Sequence, residues 1–105
     1  MPVIAVEDSN FDAELAKHSN VVVKFYADWC GSCKLFAPKY KRLSNDERFQ
    51  GVVFLEVNAE KNPEARKKAG VNNLPTFATF QNGVLQESIC TSKEEAVVEA
   101  IEKLK

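Results

Sequence analysis

The stretch KFYADWCGSCK, Lys24 to Lys34, sets two cysteines two residues apart, between an apolar run and a segment of helical character. The run, NVVVKFYA from Asn20 to Ala27, is rich in β-branched and aromatic residues and reads as a strand buried on both faces. Beyond the cysteines, Leu35, Phe36, Tyr40 and Leu43 recur at helical spacing. Cys30 and Cys33 therefore fall where a central strand ends and a helix begins, the edge of an open α/β sheet at which sites collect. A Cys-x-x-Cys pair serves three chemistries: half of a zinc site, a structural disulfide or a redox-cycling dithiol.

The rest of the chain narrows that choice. Its 105 residues, 45% hydrophobic, suit one globular domain, residues 1–105, around a single core. A net charge of -1 argues against nucleic acid or an anionic membrane as partner, since both reward a basic excess. No apolar run approaches the roughly 18 residues of a membrane span. The start, MPVIAVEDSN, lacks the basic and long apolar regions of a signal peptide. The expected compartment is therefore cytoplasmic, where paired cysteines more often mean metal or redox catalysis than structural disulfides. The inventory is Cys30, Cys33, Cys90 and one histidine, His18. A closed zinc site wants four ligands, usually two pairs, and a disulfide scaffold wants an even, larger number of cysteines. Redox chemistry is left.

Val3 to Val6 reads as a first strand, and Ser9 with Asp12 as a helix start leading into Phe11, Leu15 and Ala16. Pro38 should kink the helix after the cysteines, and Gly51 closes that segment. VVFLEVN, residues 52–58, is a second buried strand; Asn62-Pro63 caps a short helix that Gly70 ends. TFATFQ and VLQESI form a hairpin about Asn82-Gly83. Ser92 with Glu95 makes a capping box, and Val97, Ala100, Ile101 and Leu104 line a last helix. The order is βαβαβαββα, an α/β fold with a mixed central sheet and helices on both faces.

A helix N-terminus carries unpaired backbone donors and a partial positive charge, which favour a thiolate. Cys30 is then the exposed nucleophile. Cys33, one turn into the helix and less exposed, attacks the mixed disulfide and closes Cys30–Cys33. Gly31 and Ser32 are small enough to leave Cys30 accessible. Pro75, in Leu74-Pro75-Thr76, is the residue type that tolerates a cis bond. Trp29 is either core packing or a flat apolar lip for a substrate chain.

FYADWCGSCK, the following APKYKRL, NLPTF, QNG and the capped last helix resemble thioredoxin along essentially the whole chain. FYADWCGSCKLFAPKYKRL is also similar to the catalytic domains of protein disulfide isomerases. The resemblance implies a thioredoxin fold, a cis Pro75 facing Cys30 and Cys33, and a substrate strand paired to the backbone near Leu74. It implies no bound cofactor, disulfide-containing protein clients, and electrons from a separate reductase of the thioredoxin reductase type, commonly a flavoprotein fed by NADPH. A monomer is expected.

Three positions depart from the family pattern. Ser32 stands where thioredoxins usually have proline and disulfide isomerases histidine, which restores a backbone donor and favours a more oxidising pair. Lys24 occupies the place of a buried acid thought to relay protons, and Glu56 the place of a lysine, as though the two were exchanged. On that reading Glu56 supplies the carboxylate behind Cys33 with Lys24 as partner; otherwise both side chains reach solvent. Cys90-Thr91 replaces a small apolar residue and glycine beside the groove. Cys90 reads most simply as a small buried hydrophobe, and alternatively as a third thiol at the groove. His18 reads as a surface residue; Lys34 either supports the Cys30 thiolate or is solvated. The expected activity is reduction of protein disulfides, with oxidase or isomerase action, or a binding module without turnover, as alternatives.

Overall fold

A computed structural model of the chain describes residues 2–104. Strands β1 (Ile4–Ala5), β2 (Asn20–Tyr26), β3 (Val52–Asn58), β4 (Thr76–Gln81) and β5 (Val84–Cys90) form one sheet, ordered β1-β3-β2-β4-β5. Strand β3 is parallel to β1 and β2, whereas β4 runs antiparallel to β2 and β5. Helices α1 (Asp8–Lys17), α2 (Gly31–Ser44), α3 (Pro63–Ala69) and α4 (Glu94–Glu102) complete the fold, with a 3-10 turn at Glu47–Phe49. This is the thioredoxin fold and the element order read from the sequence, with the 3-10 turn inserted between Ser44 and Gly51.

The unbroken apolar run of β2 follows from its central place. Val21, Val23 and Phe25 pack with Phe11 and Leu15 of α1 and Ala65 and Ala69 of α3. Val22, on the opposite face, packs with Phe36, Tyr40 and Leu43 of α2 and with Val97 and Ile101 of α4. Alternation sends neighbouring residues to opposite faces, so a strand covered twice must be apolar at every position. Lys24 breaks the rule, being 3% exposed on the Val22 face. Tyr40 spans the layers: its hydroxyl lies 2.8 Å from the Leu55 carbonyl and 3.0 Å from that of Val22. Burial, with the Glu56 charge second, holds that phenol well above its usual pKa.

The hairpin works as its Asn-Gly pair indicates, with Asn82 at φ 52° and Gly83 at φ 80°, both in the left-handed region. Several caps differ from the local reading. Helix α1 begins at Asp8, one residue before Ser9, and the Glu7 N–H donates to Asn10 Oδ1 at 2.8 Å. Ala16 lies on its exposed side. Helix α4 begins at Glu94 with no side-chain cap from Ser92; the Lys93 N–H donates instead to Thr91 Oγ1 at 3.0 Å. Leu35 leaves the buried stripe of α2 and is exposed.

Asn62 does precede α3, but its side chain serves another helix. Its Oδ1 accepts the Asp8 N–H of α1 at 2.8 Å. The Asp8 carboxylate in return accepts the Glu64 N–H at 3.1 Å and the Ala65 N–H at 2.8 Å. Each helix start is thus capped by a residue from the other. Asp8→Ala removes both acceptors from α3, and we expect a loss of about 1–2 kcal/mol in the chemical denaturation midpoint analysis.

Candidate active site

Strand β2 ends at Tyr26, and the chain turns through Ala27, Asp28 and Trp29 into α2. The turn is closed by the Cys30 N–H donating to the Ala27 carbonyl at 3.1 Å. Cys30 is the N-cap residue, in extended backbone at φ -83° and ψ 104°. Its sulfur accepts the Cys33 N–H at 3.2 Å, one of the donors a helix start leaves unpaired. The two cysteines form a disulfide with a Cα–Cα distance of 5.3 Å. Cys30, expected to be exposed, is buried in this oxidised state along with Cys33, at 5% and 3% exposure. Ala27, Tyr26 and Leu74 pack against the bonded pair and cover it.

The surroundings are open. Trp29 is 67% exposed, which excludes its reading as core. A Cβ built on Gly31 would meet nothing within 4 Å, so the space there faces outward and is not needed by the chain's own packing. The Ser32 hydroxyl lies 3.5 Å from the Cys30 sulfur. Lys34, on the first turn, is exposed.

The Leu74–Pro75 peptide bond is cis, and Leu74 reaches the cysteine cluster. Pro75 is buried, and its carbonyl accepts the Thr91 N–H at 3.2 Å. This bond seats the end of β5 beside the proline loop. Cys90 pairs in register with Thr76, next to Pro75, but it is an exposed free thiol rather than a buried hydrophobe. The reason is topological: β5 is an edge strand, and none of its residues is fully buried.

Lys24 and Glu56 face each other in register across β2 and β3, with Nζ and Oε2 3.5 Å apart. Their burial is unequal: the lysine side chain is 4% exposed and the glutamate 32%. The ammonium lies 5.2 Å from the Tyr40 ring centroid and 5.5 Å from that of Tyr26. Burial pushes Lys24 below the usual lysine pKa, and the Glu56 carboxylate partly opposes that. Glu56 opens onto a surface cavity of about 510 Å³ shared with Tyr40, Ala37 and Lys41. Tyr26 connects the two groups, touching the cysteine cluster and lying under the Lys24 ammonium. The reading of the sequence overlooked Tyr26 and Tyr40 here, although alternation along β2 already puts Lys24 and Tyr26 on one face.

His18 is the C-cap residue of α1, its Nε2 3.7 Å from Glu14 Oε1 and remote in the fold from this end of β2. Among the described residues, no three metal-ligating side chains converge, and no helix is long and apolar enough to cross a membrane.

The comparisons with known proteins agree with the geometry. The family model described as Thioredoxin matches residues 2–103. Thioredoxin 1 of Plasmodium falciparum is 30% identical over 103 residues, covering 98% of this chain and 97% of its own. A protein disulfide-isomerase of Oryctolagus cuniculus is 36% identical over 83 residues, 77% of this chain but only 16% of that protein. A thioredoxin f2, solved in complex with ferredoxin:thioredoxin reductase, superposes with a TM-score of 0.88 at 31% identity, covering 97% of this chain and 94% of that one. Since the family model spans nearly all of the sequence and these relatives share its architecture, the chain belongs to the thioredoxin family and carries that family's dithiol–disulfide pair at Cys30 and Cys33.

Proposed function

We propose that this protein reduces the disulfides of other proteins, with Cys30 as nucleophile and Cys33 as resolving thiol. The observation that carries the assignment is the sulfur of Cys30 at the N-cap of α2, 3.2 Å from the Cys33 N–H. In the reduced protein the same donor and the helix N-terminus stabilise a Cys30 thiolate. That thiolate attacks one sulfur of a client disulfide, breaking the client S–S bond and expelling one client thiolate. Cys33, once deprotonated, attacks the Cys30 sulfur of the mixed disulfide and expels the second. The client gains two electrons and two protons, and Cys30–Cys33 is left oxidised. Trp29, Gly31, Ser32, Leu74 and Pro75, with Cys90 and Thr91 at the rim, frame the groove in which the client chain lies.

Glu56, held by Lys24, takes the proton from Cys33. Its one-third exposure supports this role, because the proton then has a route to water. Electrons return through a separate reductase, a reading supported by the thioredoxin f2 solved with its reductase. The domain works as a monomer without bound cofactor in the cytoplasm. An exposed free thiol at Cys90 suits such a reducing compartment.

Oxidase or isomerase action is the second reading. The Ser32 hydroxyl beside the Cys30 sulfur favours it, since a donor there stabilises the reduced pair. The potential of the Cys30–Cys33 couple separates the two. A value near -270 mV, the level of about a thioredoxin, marks a reductase, and one near about -180 mV an isomerase.

Two further outcomes are expected. Cys33→Ser should accumulate a client–Cys30 mixed disulfide, visible by mass spectrometry, whereas Cys30→Ser should trap none. Glu56→Gln should slow resolution and push the rising, acidic limb of its pH profile to higher pH, because Cys33 must then lose its proton directly to solvent. It also leaves the Lys24 charge unpaired and should cost about 1–2 kcal/mol in thermal denaturation, less than a wholly buried pair because Glu56 is part-exposed. Lys24→Met, which leaves Glu56 solvated, should hold or raise stability at neutral pH. An unchanged pH profile in Glu56→Gln removes the carboxylate relay.

A further inference from the structure

Any client that reaches the Cys30 sulfur must lie over Trp29, Gly31 and Ser32, and what adjoins that surface decides which clients fit. A notch of about 180 Å³ begins at Ser32 and continues along α2, lined by Ser32, Leu35, Phe36, Lys39 and Ser92. It is smaller than the roughly 300 Å³ at which small-molecule pockets begin, so it suits one side chain of a larger partner. Leu35 at its rim is 76% exposed, more than any other large apolar side chain of the described residues. Trp29 on the other side of the cysteines is 67% exposed. Two large exposed apolar side chains, Trp29 and Leu35, thus lie within five residues of Cys30.

The α2 wall of the notch is basic, and on the α4 side Glu94 and Glu95 follow Ser92 and Lys93, with Glu94 taken up by Arg42. Helix α2 holds Lys34, Lys39, Lys41 and Arg42 and no acidic residue. The chain as a whole has 15 acidic and 14 basic residues, so everything outside α2 is acidic in balance. Arg42 is bound to Glu94 of α4, while Lys34, Lys39 and Lys93 join no ion pair among the described residues. The Lys39 ammonium lies 5.9 Å from the centroid of the Phe36 ring, over the notch. On the β1 and β3 side, a cavity of about 470 Å³ that Tyr26 and Asp28 reach from the turn before Cys30 is lined by Glu7, Asp8, Asp28 and Glu56 and by one cation, Lys61; Asp8 there caps α3 and Glu56 pairs with Lys24. The turn before Cys30 therefore lies between the basic wall of α2 and this more acidic cavity.

We infer that the notch along α2 is a docking site for the client segment on one side of the disulfide under attack, and that it selects a segment with an apolar residue next to an acidic one. The apolar side chain enters between Leu35 and Phe36, and the acidic group meets Lys39 and Lys93. The more acidic cavity beyond the turn disfavours the same charge there, so the polarity of the client chain is read as well. Unpaired surface charges of this kind act on encounter rate more than on final affinity. The inference rests on the disulfide reduction proposed above.

The test uses the reduced protein in single turnover against peptides whose one cysteine is a mixed disulfide with a neutral thiol, followed by Trp29 fluorescence. The peptides carry Leu-Asp-Asp or Leu-Lys-Lys either before or after the cysteine. On one of the two flanks the acidic peptide should react about tenfold faster than the basic one at low salt, the ratio falling toward one in about 0.5 M salt. Lys39→Glu should abolish or invert that ratio, whatever it does to the absolute rates. A ratio near one on both flanks, or one that Lys39→Glu leaves unchanged, overturns the docking site. If none of the peptides oxidises Cys30 and Cys33, disulfide reduction itself fails, and the docking site with it.

Discussion

A helix cannot start without something to take its first backbone donors, and in this protein one of those donors is taken by a sulfur. The Cys33 N–H points at Cys30, and the Cys30 N–H in turn closes the turn onto Ala27. The end of β2, the turn and the first turn of α2 are therefore held by one residue. The rest of the active end follows from that anchor. With α2 fixed there, Phe36, Tyr40 and Leu43 fall onto the sheet, and the cis proline loop meets the cysteines through Leu74. A group that caps a helix is also electrostatically tuned by it, so structural and chemical demands on Cys30 coincide.

Lys24 carries a second demand that the hydrophobic core alone would not impose. An ammonium in the central strand loses most of its hydration, and one carboxylate 3.5 Å away restores only part of that loss. Two tyrosine rings supply the remaining polar surroundings, and one of them, Tyr40, is itself fastened to the two central strands. The arrangement places a fixed positive charge against the middle of α2, beside Tyr40, with its counter-ion at the solvent boundary. Replacing either member alone has unequal effects because their exposure is unequal.

Much of this was readable in the sequence because it depends on local or strictly periodic features. The Asn82-Gly83 turn and the Gly70 helix end each rest on residues suited to one backbone conformation, and the strand at residues 52–58 on a run of apolar, mostly β-branched residues. The pairing of Lys24 with Glu56 was accessible from register, since both occupy corresponding positions in adjacent strands. What escaped the reading depends on which neighbour arrives from far along the chain. Ser92 does not cap α4 because Thr91 intervenes, and Asn62 is drawn away from α3 by Asp8. Cys90 has the composition of a core residue but occupies a strand with no neighbour on its outer side. Leu35 fits a helical stripe by spacing, yet lies one step beyond the arc that the sheet covers.

The exchange of caps between Asp8 and Asn62 reaches beyond the two helices it joins. Each bond links positions more than fifty residues apart, so neither helix start can be completed while the other half of the chain is disordered. Opening one end exposes donors at the other, which makes α1 and α3 a single unit for local unfolding and amide hydrogen exchange. That unit lies on the sheet face opposite α2. Its closing hydrogen bonds involve no residue of α2, so the face behind the cysteines is fastened independently of them.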